Sequence, residues 1–145
     1  MIEMTTAEYR ASLRQSTARY ATSEAEEQMA LIEWKGAMLG REPRLALLFH
    51  PANGELREKR VGAKLKRMGV VPGVPDLWLP VPSAGYVGLA IELKAIGGHT
   101  SPDQDWWLLE LTRNGWYTAV RYGWLSAAKM IAWYLDIRES GLEDL

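Results

Sequence analysis

Residues 73–104 decide the fold, and they read GVPDLWLPVPSAGYVGLAIELKAIGGHTSPDQ. Two apolar runs, Asp76–Val81 and Tyr86–Lys94, flank a short Pro-Ser-Ala-Gly segment. Apolar runs joined by a few turn residues are typical of a β-hairpin. The glycine-rich segment after the second run leads to Ser101 and Pro102, and serine before proline is typical of a helix start. The stretch therefore predicts a hairpin, a loop and a helix, in that order.

Further secondary-structure signals flank the hairpin on both sides. Ser23 is followed three residues later by Glu26, a capping box that predicts the start of a helix. The full order of predicted elements, α-β-α-β-β-α-β-α, favours a single α/β domain with a mixed central sheet flanked by helices. The remaining elements are a strand over Arg44–His50, a basic helix over residues 55–68, a strand over Trp116–Tyr122 and a last helix capped by Ser126.

The two ends of the chain are more polar than the part between them. Residues 1–22 predict an N-terminal arm or short helix, residues 23–138 form the predicted domain, and residues 139–145 predict a tail that frays. Tryptophan is frequent, with seven copies. Helical and strand periodicity predicts a core position for four of them and a surface or interface position for two. The four are Trp34, Trp107, Trp116 and Trp133, and the two are Trp106 and Trp124.

Composition excludes several kinds of active site. The 145 residues contain no cysteine and only two histidines, which excludes disulfides, thiol catalysis and a three-histidine metal site within one chain. The formal net charge of -1 gives no overall attraction to nucleic acid, so such binding must come from local charge or bound metal. No apolar run reaches the roughly 20 residues of a membrane helix, and the N-terminus is too polar for a signal peptide. A soluble, cytoplasmic protein with no membrane partner is therefore expected.

Three charged residues converge on one face of the predicted hairpin. Alternation along the second strand places Glu92 and Lys94 on one face, and Asp76 of the first strand lies near them because paired strands are only about 5 Å apart. Acids gathered at a sheet are costly unless a cation neutralises them, and a divalent cation with oxygen ligands fits best. The pattern favours one or two Mg2+ or Mn2+ ions, although the same spacing also occurs on solvated strand faces.

Three sequence blocks around these residues resemble a known family. They are Gly73-Val-Pro-Asp76, Ile91-Glu-Leu-Lys94 and Gly97-Gly-His-Thr-Ser-Pro-Asp-Gln104, and in this order they resemble VRR-NUC, the virus-type replication-repair nuclease branch of the PD-(D/E)xK superfamily. The resemblance covers about residues 23–136, and His50-Pro-Ala-Asn-Gly54 is similar to a further family segment in a different residue order. It implies a PD-(D/E)xK nuclease-like mixed sheet and metal-dependent endonuclease activity on DNA, often at branched or flapped structures.

The resemblance also implies roles for individual residues. The acids of the family map onto Asp76 and Glu92, its lysine onto Lys94 and its helix glutamine onto Gln104, so these four are the expected catalytic residues. The expected metal ligands are Asp76, Glu92, the backbone carbonyl of Leu93 and one glutamate of the first helix.

That glutamate falls within Glu24–Glu33, and helical geometry helps to choose it. Glu26 is the predicted capping partner of Ser23, so its carboxylate is engaged at the helix start. Glu27 lies on the same stripe as Leu31 and Trp34, which should face the sheet. We therefore expect Glu27 to be the ligand, with Glu26 as the alternative. A solvated first turn favoured by the helix dipole is the non-functional explanation.

A basic segment precedes the hairpin. Six positive charges fall within residues 57–67, and only Glu58 opposes them there. A solvated helix face is the commonest fate of such a run, but beside a nuclease site a surface that contacts phosphates without reading sequence is the better interpretation. The expected DNA contacts are His50, Asn53, Lys59, Arg60, Lys64, Lys66 and Arg67.

These expectations combine into one function with two alternatives. The chain is expected to be a Mg2+- or Mn2+-dependent deoxyribonuclease of phage type, selective for branched, junction or flap DNA in replication, repair or recombination. Because cutting both strands of a branched substrate needs two sites, a homodimer is also expected. The first alternative is a non-catalytic DNA-binding or assembly module that retains the nuclease fold, which the low positive charge supports. The second is a sequence-specific restriction-type enzyme, which the missing recognition element disfavours.

Overall fold

A computed structural model describes residues 23–52 and 59–145, so the predicted arm over residues 1–22 lies outside the described residues. The described part contains four α-helices and three strands, with a short 3-10 helix at Pro43–Leu47. The helices are α1 (Glu24–Met38), α2 (Lys59–Arg67), α3 (Pro102–Arg113) and α4 (Trp124–Tyr134). The strands are β1 (Leu77–Leu79), β2 (Leu89–Lys94) and β3 (Tyr117–Tyr122).

The strands form one mixed sheet in the order β1-β2-β3. β1 and β2 pair antiparallel as the predicted hairpin, with Leu77 opposite Ile91. β2 and β3 pair parallel, with Lys94 opposite Tyr122, and α3 provides the crossover that a parallel pair requires. β1 ends at Leu79, earlier than the apolar run predicts, because the next residue is a proline and has no amide hydrogen to donate. The predicted mixed α/β domain is confirmed.

The central strand β2 is buried along its whole length. Its apolar side chains join a core that includes helix residues from both ends of the chain, and each fully buried aliphatic side chain contributes about 1.5–3 kcal/mol. This packing holds the charged residues of β2 on a rigid support. Within the described residues, no helix is long and apolar enough to span a membrane. The largest fully buried members of the core are Leu31, Trp34, Leu45, Leu48, Leu77, Leu79, Leu89, Ile91, Leu93, Ile131 and Tyr134.

The strand predicted over residues 44–50 is wrong. The chain forms the 3-10 helix there, and only Phe49 makes a strand-like bridge, to Trp78. Proline at position 43 suits a helix start, and Leu45 and Leu48 are spaced three residues apart, which puts both on the same side of a 3-10 helix. Both side chains are fully buried, so the segment buries its apolar residues without forming a strand.

The C-terminal segment is packed and does not fray as predicted. Ser140 and Leu142 are buried, and the Nε1 atom of Trp34 donates a hydrogen bond to the Ser140 carbonyl oxygen at 3.0 Å. Because Trp34 is fully buried, its indole N–H needs an internal acceptor, and the tail supplies it.

Two tryptophan predictions are also wrong: Trp133 is 56% exposed, and Trp124 is buried.

Candidate active site

The register of the hairpin brings two carboxylates together just before β1. Leu77 pairs with Ile91, so one residue outward Asp76 lies opposite Glu92. Oδ2 of Asp76 accepts a hydrogen bond from the Leu93 amide at 2.9 Å, which fixes that side chain against β2. The structure therefore brings Asp76 and Glu92 together, as the strand pattern predicts.

The Glu92 carboxyl group is held in an environment that opposes its charge. The side chain is 1% exposed, and Oε2 is buried and receives no hydrogen bond. Burial, followed by the charge of Asp76, raises the pKa of Glu92 to about 8, against the opposing effect of Lys94. A buried oxygen without a donor is costly, so this atom is suited to bind a cation.

Lys94 places its ammonium group between two carboxylates. Nζ lies 3.4 Å from Oε1 of Glu92 and 3.6 Å from Oε1 of Glu24, and the lysine is only 6% exposed. The ammonium therefore connects β2 to the first turn of α1. A lysine held so closely presents a fixed positive charge beside the acids.

The start of α3 orients Gln104 toward the site. Ser101 and Gln104 form a capping box, in which Gln104 Oε1 accepts a hydrogen bond from the Ser101 amide at 2.8 Å. The side-chain nitrogen then donates to Oε1 of Glu92 at 2.9 Å. Only this amide orientation satisfies both neighbours, because a backbone N–H can only donate and a carboxylate can only accept. The same Gln104 side chain therefore completes the predicted helix cap and contacts Glu92 as the predicted site glutamine.

A close backbone contact fixes the loop before Asp76 against α3. Gly73 has a φ of +82°, and a Cβ atom there would lie 2.5 Å from the backbone carbon of Asp103. Glycine is the residue that tolerates both the left-handed conformation and the close approach. The contact holds Asp76 and Gln104 in a common frame.

We expect Gly73→Ala to lower the free energy of unfolding by more than about 2 kcal/mol, because it adds both backbone strain and a clash. Gly85→Ala is the matched control, since Gly85 has a φ of +85° but nothing within 4 Å of its Cβ position. It should lose only about 1 kcal/mol from strain. Urea denaturation measures both values, and equal losses would contradict the proposed backbone contact.

Glu27, the expected first-helix ligand, is engaged elsewhere in the structure. Its Oε2 accepts a hydrogen bond from the Trp124 amide at 2.6 Å and so caps the start of α4. This contact explains why α4 begins at Trp124 rather than after Ser126, as the sequence predicted, since the cap comes from another helix. Among the described residues, no three histidine or acidic side chains are grouped closely enough to hold a metal ion. Glu27 is therefore not brought together with Asp76 and Glu92, and its metal role stays a prediction.

The first-helix glutamate that reaches Lys94 is Glu24, which lies within the predicted range but off the predicted stripe. Glu24 lies one turn before Glu27, and its Oε1 atom also approaches the position of a Gly98 Cβ at 3.5 Å. The Glu27 carboxylate is instead directed to the N-terminus of α4, where it accepts the Trp124 amide hydrogen bond. Glu26, the alternative, is confirmed as the capping-box partner of Ser23.

The predicted DNA contacts lie on two separate elements. The Nδ1 atom of the exposed His50 lies 2.6 Å from the carbonyl oxygen of Asp76, so the ring is tied to the site by its backbone. Lys64, Lys66 and Arg67 are exposed on α2. Asn53 and the side chains of Lys59 and Arg60 lie outside the described residues.

Three tryptophans line the approach to the hairpin. Trp78, which shares a strand face with Asp76, contacts Trp116 edge to face at a centroid distance of 5.1 Å and Trp107 at 6.4 Å. The indole N–H groups of Trp78 and Trp107 donate to the carbonyl oxygens of Pro75 and Pro72. These bonds hold the loop that carries Asp76, so the tryptophans act here mainly as structural supports.

Comparison with known proteins identifies the family of the chain. The model of the VRR-NUC domain family matches residues 44–124, which is more than half of the chain. A solved structure described as "VRR_NUC domain protein" is similar, with 28% sequence identity and a TM-score of 0.66, covering 81% of this chain and 91% of that one. No curated protein matches at a significant level. The matched residues contain the hairpin, Gln104 and the basic helix, and the chain belongs to the VRR-NUC domain family, a nuclease-type family.

Proposed function

We propose that the chain is a metal-dependent endonuclease that hydrolyses DNA phosphodiester bonds with PD-(D/E)xK chemistry. The family is of nuclease type, which supports the reaction class. One observation carries the proposal for this chain: a buried Glu92 oxygen without a donor, beside Asp76 and Lys94. Buried carboxyl groups of this kind are characteristic of sites that bind cations or perform acid-base chemistry.

The residues present fit a hard divalent cation. Mg2+ and Mn2+ prefer oxygen ligands, and the Asp76 and Glu92 carboxylates with the Leu93 carbonyl offer them. Glu92 Oε2 receives no other bond, and Asp76 has an oxygen besides the one bonded to the Leu93 amide. A bound Mg2+ or Mn2+ ion would supply an activated water and neutralise phosphate charge. We expect one or two such ions.

The remaining side chains hold the site residues in position and stabilise the charge that develops during the reaction. The Lys94 ammonium group offsets the negative charge that develops on the phosphate during attack, and Glu24 and Glu92 hold it in place. Gln104 keeps Glu92 in one orientation through Oε1. The Leu93 amide does the same for Asp76. Because these partners are already in place, little rearrangement is needed when substrate binds.

DNA is the proposed substrate, with α2 as the surface that contacts phosphates. Lys64, Lys66 and Arg67 are exposed on this short helix, and the described part of α2 has no acid in its first turn. Replacing all three with alanine should weaken binding and reduce the salt dependence of log K by about 0.9 for each phosphate that is no longer neutralised. Anisotropy titrations in EDTA at several salt concentrations measure this slope. Arg113→Ala is the control, because Arg113 is exposed but paired with Glu110, and a triple variant with an unchanged slope would contradict the proposed role.

Selectivity for branched, junction or flap DNA, a homodimeric state, a phage-type origin and a cytoplasmic location remain proposals. Labelled branched, flapped, single-stranded and linear duplex DNAs should be incubated with Mg2+, Mn2+ or EDTA. We expect metal-dependent internal cuts, concentrated near the branch points. Products that are equal with EDTA and with metal, or no products from any substrate, would contradict the proposal.

A non-catalytic DNA-binding or assembly module remains the second candidate. The observation in its favour is that no three acidic or histidine side chains of the described residues form a metal-sized group. Such a module would bind the same DNAs in EDTA and leave them intact with either metal. The substrate panel therefore separates the two functions directly.

A further inference from the structure

A groove of about 620 Å3 runs between β3 and α4. Its walls include three aromatic residues, two cationic residues and a methionine. The volume falls within the range of roughly 300–1,000 Å3 that is usual for ligand sites. The residues on which the inference rests are Tyr117, Arg121, Tyr122, Lys129, Met130 and Trp133.

The aromatic side chains of the groove present open surface. Trp133 is 56% exposed and Tyr122 is 48% exposed, although both are large and apolar. Trp133 packs on Tyr117 at a centroid distance of 5.2 Å, and Tyr117 packs on Tyr86 at 4.9 Å, so the rings form a continuous row. Rings held by their neighbours with an exposed face are suited to stacking against a flat partner.

The charge of the groove favours an anionic partner. Arg121 and Lys129 contribute two positive charges, and none of the described residues that line the groove is acidic. The Nε atom of Arg121 donates to the sulfur of Met130 at 3.4 Å, which leaves its terminal nitrogens to other acceptors. Lys129 donates to the carbonyl oxygen of Leu145 and keeps two further ammonium protons.

One lining residue of the groove lies on the same sheet face as Lys94. Tyr122 is the register partner of Lys94 in the parallel β2-β3 pair, so both side chains leave the sheet on the same face. Adjacent strands lie about 5 Å apart, which is less than one extended nucleotide step. Tyr117 and Arg121 point to the opposite face, where α4 packs, so a strand leaving the active site past Lys94 meets Tyr122 at the edge of β3 and turns around that edge into the groove.

We infer that this groove, formed by β3 and α4, holds a single-stranded segment of nucleic acid, with bases on the aromatic row and phosphates on Arg121 and Lys129. The inference rests on the proposed function and adds a substrate class to it. Aromatic faces that alternate with cations are the usual means of binding an unpaired strand. The alternative occupant of the groove is a second copy of the chain, bound at the edge of β3 that none of the described strands pairs with. A two-fold contact there would bring both copies of Arg121 and Lys129 into one patch, which disfavours it.

The test measures, by fluorescence anisotropy in EDTA, how tightly the full chain binds a fluorescein-labelled oligo(dT) of ten nucleotides. Trp133→Ala should weaken binding about 10-fold or more, and Trp133→Phe should restore most of it, because a stacking face returns. Trp106→Ala is the matched control, since Trp106 is 57% exposed but lies on α3 outside the groove, and it should change the affinity by less than 2-fold. Lys129→Gln should lower the salt dependence of binding.

Two outcomes would overturn the inference. One is equal binding of oligo(dT) by wild type, Trp133→Ala and Lys129→Gln, with circular dichroism showing that the variants are folded. The other is a change from dimer to monomer in light scattering for Trp133→Ala without loss of oligo(dT) affinity, which would assign the groove to a second copy. Neither depends on cleavage, since EDTA removes divalent metal, so failure of the proposed nuclease activity would be seen separately in the substrate panel.

Discussion

Replacing Lys94 with methionine is expected to lower the single-turnover rate of DNA cleavage by about 10²- to 10³-fold. Methionine keeps much of the length and apolar body of the side chain but removes the charge that lies 3.4 Å from Glu92. Because the role proposed for this charge is in the transition state, DNA affinity in EDTA should change by only a few fold. Quenched-flow or manual quench assays with Mg2+ and a labelled branched DNA measure the rate.

Lys35→Met is the matched control for this substitution. Lys35 is also partly buried and donates a hydrogen bond to the Leu48 carbonyl oxygen at 2.7 Å, but it lies in the last turn of α1, whereas Glu24, which pairs with Lys94, lies in the first. It should retain the wild-type rate within a few fold, with some loss of thermal stability. A Lys94→Met protein that is folded and cleaves at the wild-type rate would contradict the role assigned to the ammonium group.

The second large effect is a pH-dependent loss of stability that belongs to Glu92. Its pKa in the folded protein is about 8, above the usual value of 4.5 that applies when the chain is unfolded. The folded state therefore binds the proton more tightly, so this contribution is complete below about pH 4.5 and is lost as the pH rises to 8. Without divalent metal, the limiting slope is about 1.4 kcal/mol per pH unit within that window.

Urea denaturation in EDTA between pH 5 and 8.5 measures this slope in wild type and in Glu92→Gln. Glutamine resembles the protonated acid and does not titrate, so the difference in unfolding free energy between the two proteins should move in favour of Glu92→Gln as the pH rises. Glu110→Gln is the control, since Glu110 is partly exposed and paired with Arg113. The difference in unfolding free energy between this variant and wild type should change little over the same pH range. A constant difference for Glu92→Gln would contradict the buried, charge-opposed environment of Glu92.

The parts of the fold that were predictable are those fixed by local chemistry. The capping boxes at Ser23 and Ser101 determine two helix starts, because the serine and the residue three positions later satisfy each other within one turn. The hairpin followed from two apolar runs and a short turn, and its register then placed Asp76 opposite Glu92. Strand alternation alone was enough to bring the acids and Lys94 to one place.

The remaining features depend on contacts between distant parts of the chain. α4 is capped by Glu27, which is 97 residues away from Trp124, so no local signal marks its start. The same contact engages Glu27 at α4, and Glu24 is the first-helix glutamate that the structure pairs with Lys94. Likewise, the C-terminal tail is held in place because the Ser140 carbonyl oxygen accepts a hydrogen bond from the buried indole of Trp34. Such pairings are set by the tertiary fold and cannot be derived from the spacing of residues along the sequence.

The groove beside Tyr122 was also hidden from the sequence. Periodicity placed Trp133 on an apolar stripe of the last helix and predicted a core position. Among the described strands β3 lies at the edge of the sheet, so none of them covers this part of α4. The tryptophan packs on Tyr117 with one side and remains exposed on the other. The order of strands in the sheet decides whether Trp133 is covered, and sequence patterns do not specify that order.

The central claim is that Asp76 and Glu92 form a cation site on the sheet, and calorimetric titration with Mn2+ at pH 8 tests it most directly. The wild-type chain should bind Mn2+ saturably with one or two ions, and the double variant Asp76→Asn, Glu92→Gln should lose this binding while remaining folded by circular dichroism. A wild-type protein that binds no Mn2+, or a double variant that binds it with wild-type affinity and stoichiometry, would contradict the account.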